Sequence, residues 1–347
     1  MIPLLRWILL PISLAYLLIV WVRNKLYDEG ILKSKSFDVP NIVIGNLAIG
    51  GTGKSPMTEY LIRLLSSHFR VATLSRGYGR KTSGFRYVEM TSTAIEVGDE
   101  PLQFKTKFPK LTVAVSEDRC KGIEILKNSH QVIILDDAYQ HRRLKPGYTV
   151  LLFDFVSLFS TTITLPTGNF RDNFSASARA NLIVITKCPR QLSLEQRQHI
   201  KHRIRKHSEA PIFYSAIKYE QLRDRTHLPV EFNLSAYHIL LLTGIANPLP
   251  LKEYLVDKVI SIKQLTFPDH HNFSETDYIK IHSAFQNITG NKIIITTEKD
   301  IHRLQDKILS AIPIYYIPVQ LDFITDQSTF DQHILNYLSH AQSVNEH

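Results

Sequence analysis

The run Ile44-Gly45-Asn46-Leu47-Ala48-Ile49-Gly50-Gly51-Thr52-Gly53-Lys54-Ser55 constrains this chain more than any other stretch. It sets a glycine-rich loop between an apolar strand and a helix. Val39 to Ile44 (VPNIVI) reads as a short buried strand, and Met57 to Leu65 (MTEYLIRLL) carries apolar residues at helical spacing. Consecutive backbone N–H groups and the helix N-terminus favour an anion here. In such a loop a lysine reaches the β- and γ-phosphate oxygens and a hydroxyl ligates Mg²⁺, which makes Gly50, Gly51, Thr52, Gly53, Lys54 and Ser55 the candidate nucleotide-binding residues. The strict pattern wants glycine at 48, where this chain has Ala48, so the loop is a variant. A nucleoside triphosphate with Mg²⁺ is the expected ligand.

Short apolar runs follow at Arg70–Ser75, Leu111–Val115, Gln131–Leu135 and Tyr148–Phe153, and then a polar stretch covers 155–179. A second series comprises Leu182–Thr186, Ile212–Ala216, His238–Thr243, Lys258–Ile262, Lys292–Thr297 and Ile314–Val319, with amphipathic runs such as 193–208 and 276–287 between them. Strands alternating with helix-length segments predict parallel sheets. The expected fold is α/β, with two α/β/α lobes, the first P-loop NTPase-like, behind an N-terminal hydrophobic membrane helix. The expected boundaries are 1–30 for that helix, 31–175 for the P-loop lobe and 176–347 for a second lobe closing over the site.

The 347 residues suffice for two such lobes, and 44% hydrophobic with 21% charged residues is a globular composition. Cys120 and Cys188 form no C-x-x-C pair, which argues against a disulfide framework or a zinc site. A net charge of +9 suits an anionic partner. No helix-turn-helix, RNP-like or zinc-finger pattern accompanies it, so nucleic acid is not expected. Trp7 to Val22 (WILLPISLAYLLIVWV) is uncharged, with Trp7, Tyr16 and Trp21 placed as interfacial anchors. It is short for a spanning helix, and Pro11 suits a bent or interfacial one. The flank Arg23, Lys25, Lys33 and Lys35 favours the cytoplasmic side, and no A-x-A-like cleavage site follows. A buried core helix is the other reading of this segment.

Ile133 to Asp137 (IILDD) is an apolar strand ending in carboxylates, and a P-loop site needs such a carboxylate beside Ser55, so Asp136 and Asp137 are candidate metal ligands. Without the upstream loop the same pattern would be read as a cap or turn. In Val97-Gly98-Asp99-Glu100-Pro101, Asp99 has the place of a catalytic base, although Pro101 equally marks a helix start with an acidic first turn. Phe267 to Phe273 sets His270 and His271 beside Asp269, either as a titrating site or as a surface loop. Arg76, Arg119, Gln140 and Arg171 lie in segments after strands, where they are candidates for substrate contact.

Together these segments resemble the tetraacyldisaccharide 4′-kinases of Gram-negative bacteria. The resemblance runs in order through VPNIVIGNLAIGGTGKSP (39–56), LSRGYGRK (74–81), VGDEP (97–101), ILDDAYQH (134–141), LPTGNFRDN (165–173), LTGIANP (242–248), FPDHHNF (267–273) and TTEKD (296–300). It implies transfer of the ATP γ-phosphoryl group to the 4′-hydroxyl of a tetraacyldisaccharide 1-phosphate, giving lipid IVA, by a monomer on the cytoplasmic face of the inner membrane. It also implies that Asp99 and His270 act as a dyad assembled by cleft closure, with Lys54 carrying β/γ charge. Two departures stand out. Asp172 replaces the glutamate usual in the family, and Ser55 follows Lys54 where threonine is common.

Two other classes compete. Partitioning-type switch ATPases resemble K-G-G-x-G-K-[ST], but their signature lysine is Ile49 here. A non-catalytic nucleotide-binding anchor would bind ATP and leave Asp99 free to vary.

Overall fold

The computed structural model describes residues 4–269, 271–304 and 312–345. The chain forms two compact units, the first made of residues 1–217 and 321–347 and the second of 218–320.

The first unit is built on β1 (Asn41–Asn46), β2 (Val71–Ser75), β3 (Arg86–Tyr87), β4 (Thr112–Val115), β5 (Val132–Leu135), β6 (Tyr148–Asp154), β7 (Leu182–Thr186) and β8 (Ile212–Tyr219). With the returning β13 (Val319–Phe323), they form a nine-stranded sheet in the order β13-β8-β7-β6-β1-β5-β2-β4-β3. The central pairs are parallel, with Val43 opposite Leu135 on β5 and Asn46 opposite Leu152 on β6. Side chains alternate across a strand, so one sequence serves two cores. Ile42 and Ile44 pack with Met57, Leu61 and Leu65 of the helix that follows the glycine loop, and with Phe330, Ile334 and Leu338 of the C-terminal helix. Val43 faces the other way, onto Ile123 and Leu126, while Leu151 and Ile183 on that side meet Ile200 and Ile204. The result is three layers, α/β/α.

The second unit holds β9 (His238–Thr243), β10 (Ser261–Thr266), β11 (Lys292–Thr297) and β12 (Ile314–Ile317), parallel throughout, in the order β10-β9-β11-β12. Leu240, Leu242 and Ile294 pack on Tyr278, Ile281 and Phe285 of one helix. Ile239, Leu241 and Ile295 pack on Leu251 and Leu255 of another. Both units are thus α/β/α, as the alternating pattern predicts.

The division lies elsewhere than at 175/176. Segment 155–179 is the connection between β6 and β7, which pair from Val150–Leu182 to Asp154–Thr186, so the first sheet runs through the expected boundary. The chain leaves the first unit inside β8 and re-enters it inside β13, neither of which shows a compositional break. Two strands are also displaced. Lys258–Ile262 is mostly turn, with β10 at 261–266, and the run 314–319 breaks at Pro318 into β12 and β13.

The N-terminal segment is a 3₁₀ turn, Leu4–Leu9, leading into α1 (Leu10–Asp28), with Pro11 in the first turn, where a missing N–H costs nothing. Ser13 and Val20 are buried, while Ile8, Ile12, Leu14, Leu18, Ile19 and Trp21 are exposed. One stripe of α1 therefore docks on protein while the rest of its apolar surface remains open.

Candidate active site

The site begins where β1 ends. Its last residue, Asn46, is fully buried, and the loop then turns into α2 (Lys54–Leu65) through Gly53, whose φ of 82° lies in the left-handed region that glycine enters without strain. Asn46 Nδ2 donates to Thr52 Oγ1 at 2.6 Å and Thr186 Oγ1, at the end of β7, donates to Thr52 O at 2.9 Å, so the loop is held from both sides. Beside Thr186, Lys187 takes a left-handed conformation and its ammonium pairs with Asp154 at 2.9 Å.

On the opposite flank, β5 delivers Asp136 and Asp137. Asp136 is 4% exposed and accepts from Thr58 Oγ1 at 3.1 Å. Burial, reinforced by the charge of Asp137, pushes its carboxyl up to about 6. Burial acts on Asp137 in the same sense, but Lys54, Arg171 and Arg119 outweigh it and hold that carboxyl below its ordinary value. Arg171 grips Asp137 in a fork, Nη1 to Oδ2 at 3.2 Å and Nη2 to Oδ1 at 2.8 Å, and also reaches Asn46 Oδ1. Lys54 Nζ lies 3.4 Å from Asn46 Oδ1 and 3.7 Å from Asp137 Oδ1. One hard-oxygen pair therefore faces one lysine and one arginine at a helix N-terminus, an arrangement suited to polyanions and divalent cations.

Two of the candidate substrate contacts belong to the scaffold. Gln140 Nε2 donates to Asn46 O at 2.7 Å. Arg119 is 4% exposed, donates to Glu117 O and Asp137 O, and is pushed down to about 10 by burial. Arg76, by contrast, is exposed.

Asp99 opens the helix Asp99–Lys107, with Gly98 as N-cap, so the structure has the helix start that Pro101 suggests, with Asp99 half-buried in its first turn. The segments 74–81 and 97–101 meet backbone to backbone. A Cβ on Gly77 would lie 2.6 Å from Val97 O, and one on Gly98 3.0 Å from Gly77. Neighbouring Glu100 contributes to the raised pKa of Asp136, which ties this turn electrostatically to the end of β5.

In the second unit, the segments 242–248, 267–273 and 296–300 all follow carboxyl ends of strands. His270 lies outside the described residues. His271 pairs with Asp277 Oδ2 at 2.9 Å and stacks on Phe267, which makes it part of the loop's framework. Asp172 is likewise structural. It is 1% exposed, accepting from Asn24 Nδ2, Arg179 Nη2 and its neighbour's backbone N–H.

Sequence reasoning did not single out Asn46, Thr58 or Thr186. Asn46 and Thr186 are polar residues ending apolar strands, and that position at a sheet's carboxyl edge was the available signal.

Strand, glycine loop and Lys-Ser helix start, flanked by carboxylates on the adjacent parallel strand, define a P-loop nucleotide-binding protein. The family described as tetraacyldisaccharide-1-P 4′-kinase matches residues 5–339. A tetraacyldisaccharide 4′-kinase of Flavobacterium johnsoniae is 46% identical, over 96% of this chain and 98% of its own length. One from Bacteroides thetaiotaomicron is 42% identical, over 96% and 93%. The crystal structure of LpxK from Aquifex aeolicus in complex with ATP aligns at a TM-score of 0.76 with 29% identity, over 96% of this chain and all of that one. This chain belongs to the tetraacyldisaccharide 4′-kinase family.

Proposed function

We propose that this chain transfers the γ-phosphoryl group of ATP to the 4′-hydroxyl of a tetraacyldisaccharide 1-phosphate, forming lipid IVA in lipid A biosynthesis. Family membership supports the activity. The observation that carries it at residue level is the convergence of Lys54, Asn46, Asp137 and Arg171 at the start of α2.

Phosphoryl transfer needs mainly positioning and charge neutralisation. Gly50 to Ser55 bind the phosphates, and Lys54 moves its charge from Asn46 and Asp137 onto the β/γ oxygens. Ser55, Asp136 and Asp137 form a hard-oxygen donor set that fits Mg²⁺, and the metal would supply neutralisation of phosphate charge. Thr58 fixes the direction of Asp136. Asp99 accepts the proton of the 4′-hydroxyl as its oxygen attacks phosphorus and ADP departs, and His270 tunes that base. Exposed Arg76 is assigned to the anionic substrate, and Arg171 to the transferring phosphoryl group once it is released from Asp137.

The open apolar face of α1, flanked by Arg6, Arg23 and Lys25, lies in the cytoplasmic interface of the inner membrane, where the net charge of +9 favours anionic lipid. The docked stripe of α1 argues for lying in that interface over crossing it. The enzyme works there as a monomer. The decisive experiment incubates purified protein in detergent with γ-labelled ATP and a tetraacyldisaccharide 1-phosphate, beside Lys54→Ala. Labelled lipid from wild type alone is expected, whereas ATP binding without labelled lipid would favour a switch ATPase or an anchor.

A further inference from the structure

The stripe of α1 that docks on the first unit is polar where a plain anchor would be apolar. Ser13 is 2% exposed, its Oγ donating to Thr167 Oγ1 at 2.8 Å and accepting the Thr167 backbone N–H at 3.0 Å. One turn on, the Tyr16 hydroxyl donates to the carbonyl oxygen of Arg171 at 2.9 Å. Two turns further, Asn24 Nδ2 donates to Asp172 Oδ1, also at 2.9 Å. These bonds end on residues 167–172, the loop whose Arg171 guanidinium grips Asp137 and Asn46.

Apolar docking tolerates sliding, because dispersion is non-directional. Buried polar groups do not, since a group displaced from its partner bears the full desolvation cost. Ser13, Thr167 and Asp172 are buried, so the helix sits in one register, and that register holds the Arg171 carbonyl and the residues flanking it, while Leu47 O holds the Arg171 N–H. A long guanidinium side chain has much rotamer freedom to lose, so a fixed base decides where its fork reaches.

We propose that Tyr16 and Asn24 are positioning residues for phosphoryl transfer, acting through Arg171, so that the lipid-facing helix is a working wall of the site as well as its anchor. The inference rests on the kinase reading above and adds to it a mechanical link between the membrane-facing element and the charge cluster.

The test uses the full chain in mixed micelles, with Tyr16→Phe, Asn24→Ala and Arg171→Ala, singly and combined. Each α1 variant is expected to lower kcat roughly tenfold, the scale of a small misplacement of a reacting group. KM for the lipid, and partition onto vesicles of phosphatidylglycerol and phosphatidylethanolamine, should stay at wild-type values. In the Arg171→Ala background, adding Asn24→Ala should cost nothing more, because residues acting through one group are not additive. A general structural role would instead give the same fold-loss in both backgrounds. That result, an unchanged kcat, or a loss confined to vesicle partition would overturn the proposal. Ile19→Ser, on the open face, should weaken partition. Tyr16→Phe removes a single hydroxyl and keeps the question decidable if Asn24→Ala melts. Wild-type turnover in the same assay separates the two levels. If it is absent the kinase reading fails and this proposal with it; if it is present, the variants alone decide.

Discussion

At the carboxyl edge of the nine-stranded sheet, polar side chains meet one another around a glycine loop. At the same edge of the four-stranded sheet, Asp277 and Asp300 are held by nearby backbone N–H groups and hydroxyls, with His271 and Arg303 beside them. Asn46, Asp137, Lys54 and Arg171 trade hydrogen bonds among side chains in the first unit. In the second, Asp300 is fully buried and spends Oδ2 on the Gly244 N–H and the Thr297 hydroxyl, while Asp277 accepts the Ser274 N–H and hydroxyl. Both edges carry segments shared with the kinase family, yet acidic residues of similar prominence do different work. A carboxylate answered by mobile cations can exchange them for a ligand, whereas one answered by backbone N–H groups holds a loop in shape.

The largest test of this contrast is Lys54→Ala. Removing the cation that counters phosphate charge is expected to cut kcat by about 10³ with the fold intact, as for loss of one preorganised electrostatic group. Transfer of labelled phosphate against circular dichroism checks it, and a parallel loss of structure would break the contrast. Asp300→Ala should show the opposite pattern. It leaves a buried N–H and hydroxyl without their acceptor, costing about 2–4 kcal/mol in urea unfolding. Nucleotide binding by the first unit should persist, and its loss would show that the two edges do not act independently.

How much of this was legible follows from sequence distance. The loop, its strand and its helix are contiguous, so twelve residues declare them. The Asn46 side chain finds Thr52 and Lys54 within that stretch, but its third partner, Arg171, lies 125 residues away, and only the parallel crossovers bring it back. Asp99 supported two readings because the acidic first turn of a helix and a positioned carboxylate are the same object seen locally. The unit boundary was misplaced for a physical reason. Polar composition suggests a linker, but the 155–179 connection buries Leu158, Phe170, Asp172 and Phe174 within its own unit, whereas the true crossing points lie within strands. β10 was displaced because Lys263 and Gln264 interrupt its apolar pattern, as an edge strand permits.

A smaller effect is expected at the loop's other support. Thr186→Val keeps shape and removes the donor to Thr52 O. Loss of one hydrogen bond of about 1 kcal/mol should weaken ATP binding several-fold, with less effect on kcat at saturating ATP. Calorimetric titration of ATP checks it, and unchanged affinity would mean that Asn46 alone shapes the loop.

Acid gives the finest separation of the two units. Burial, with the positive charge of Arg119, pushes His141 from 6.5 down to about 4. Between those values the unfolded chain binds the proton and the folded chain does not, so the His141 contribution to stability is whole above 6.5 and is lost as pH falls toward 4. The Ser274 hydroxyl and N–H, with His271, hold Asp277 below its ordinary 3.8, so its contribution is whole above that value and drains only at lower pH. Asp136, raised to about 6, works with the opposite sign and partly masks His141 in wild-type protein. The measurement is therefore a difference between wild type and variant. The stability gap to His141→Gln should change between pH 6.5 and 4, and the gap to Asp277→Asn only below 3.8. If both gaps moved in one window, the distinction between a desolvated imidazole in one unit and a backbone-held carboxylate in the other would fail as an account of their acid stability.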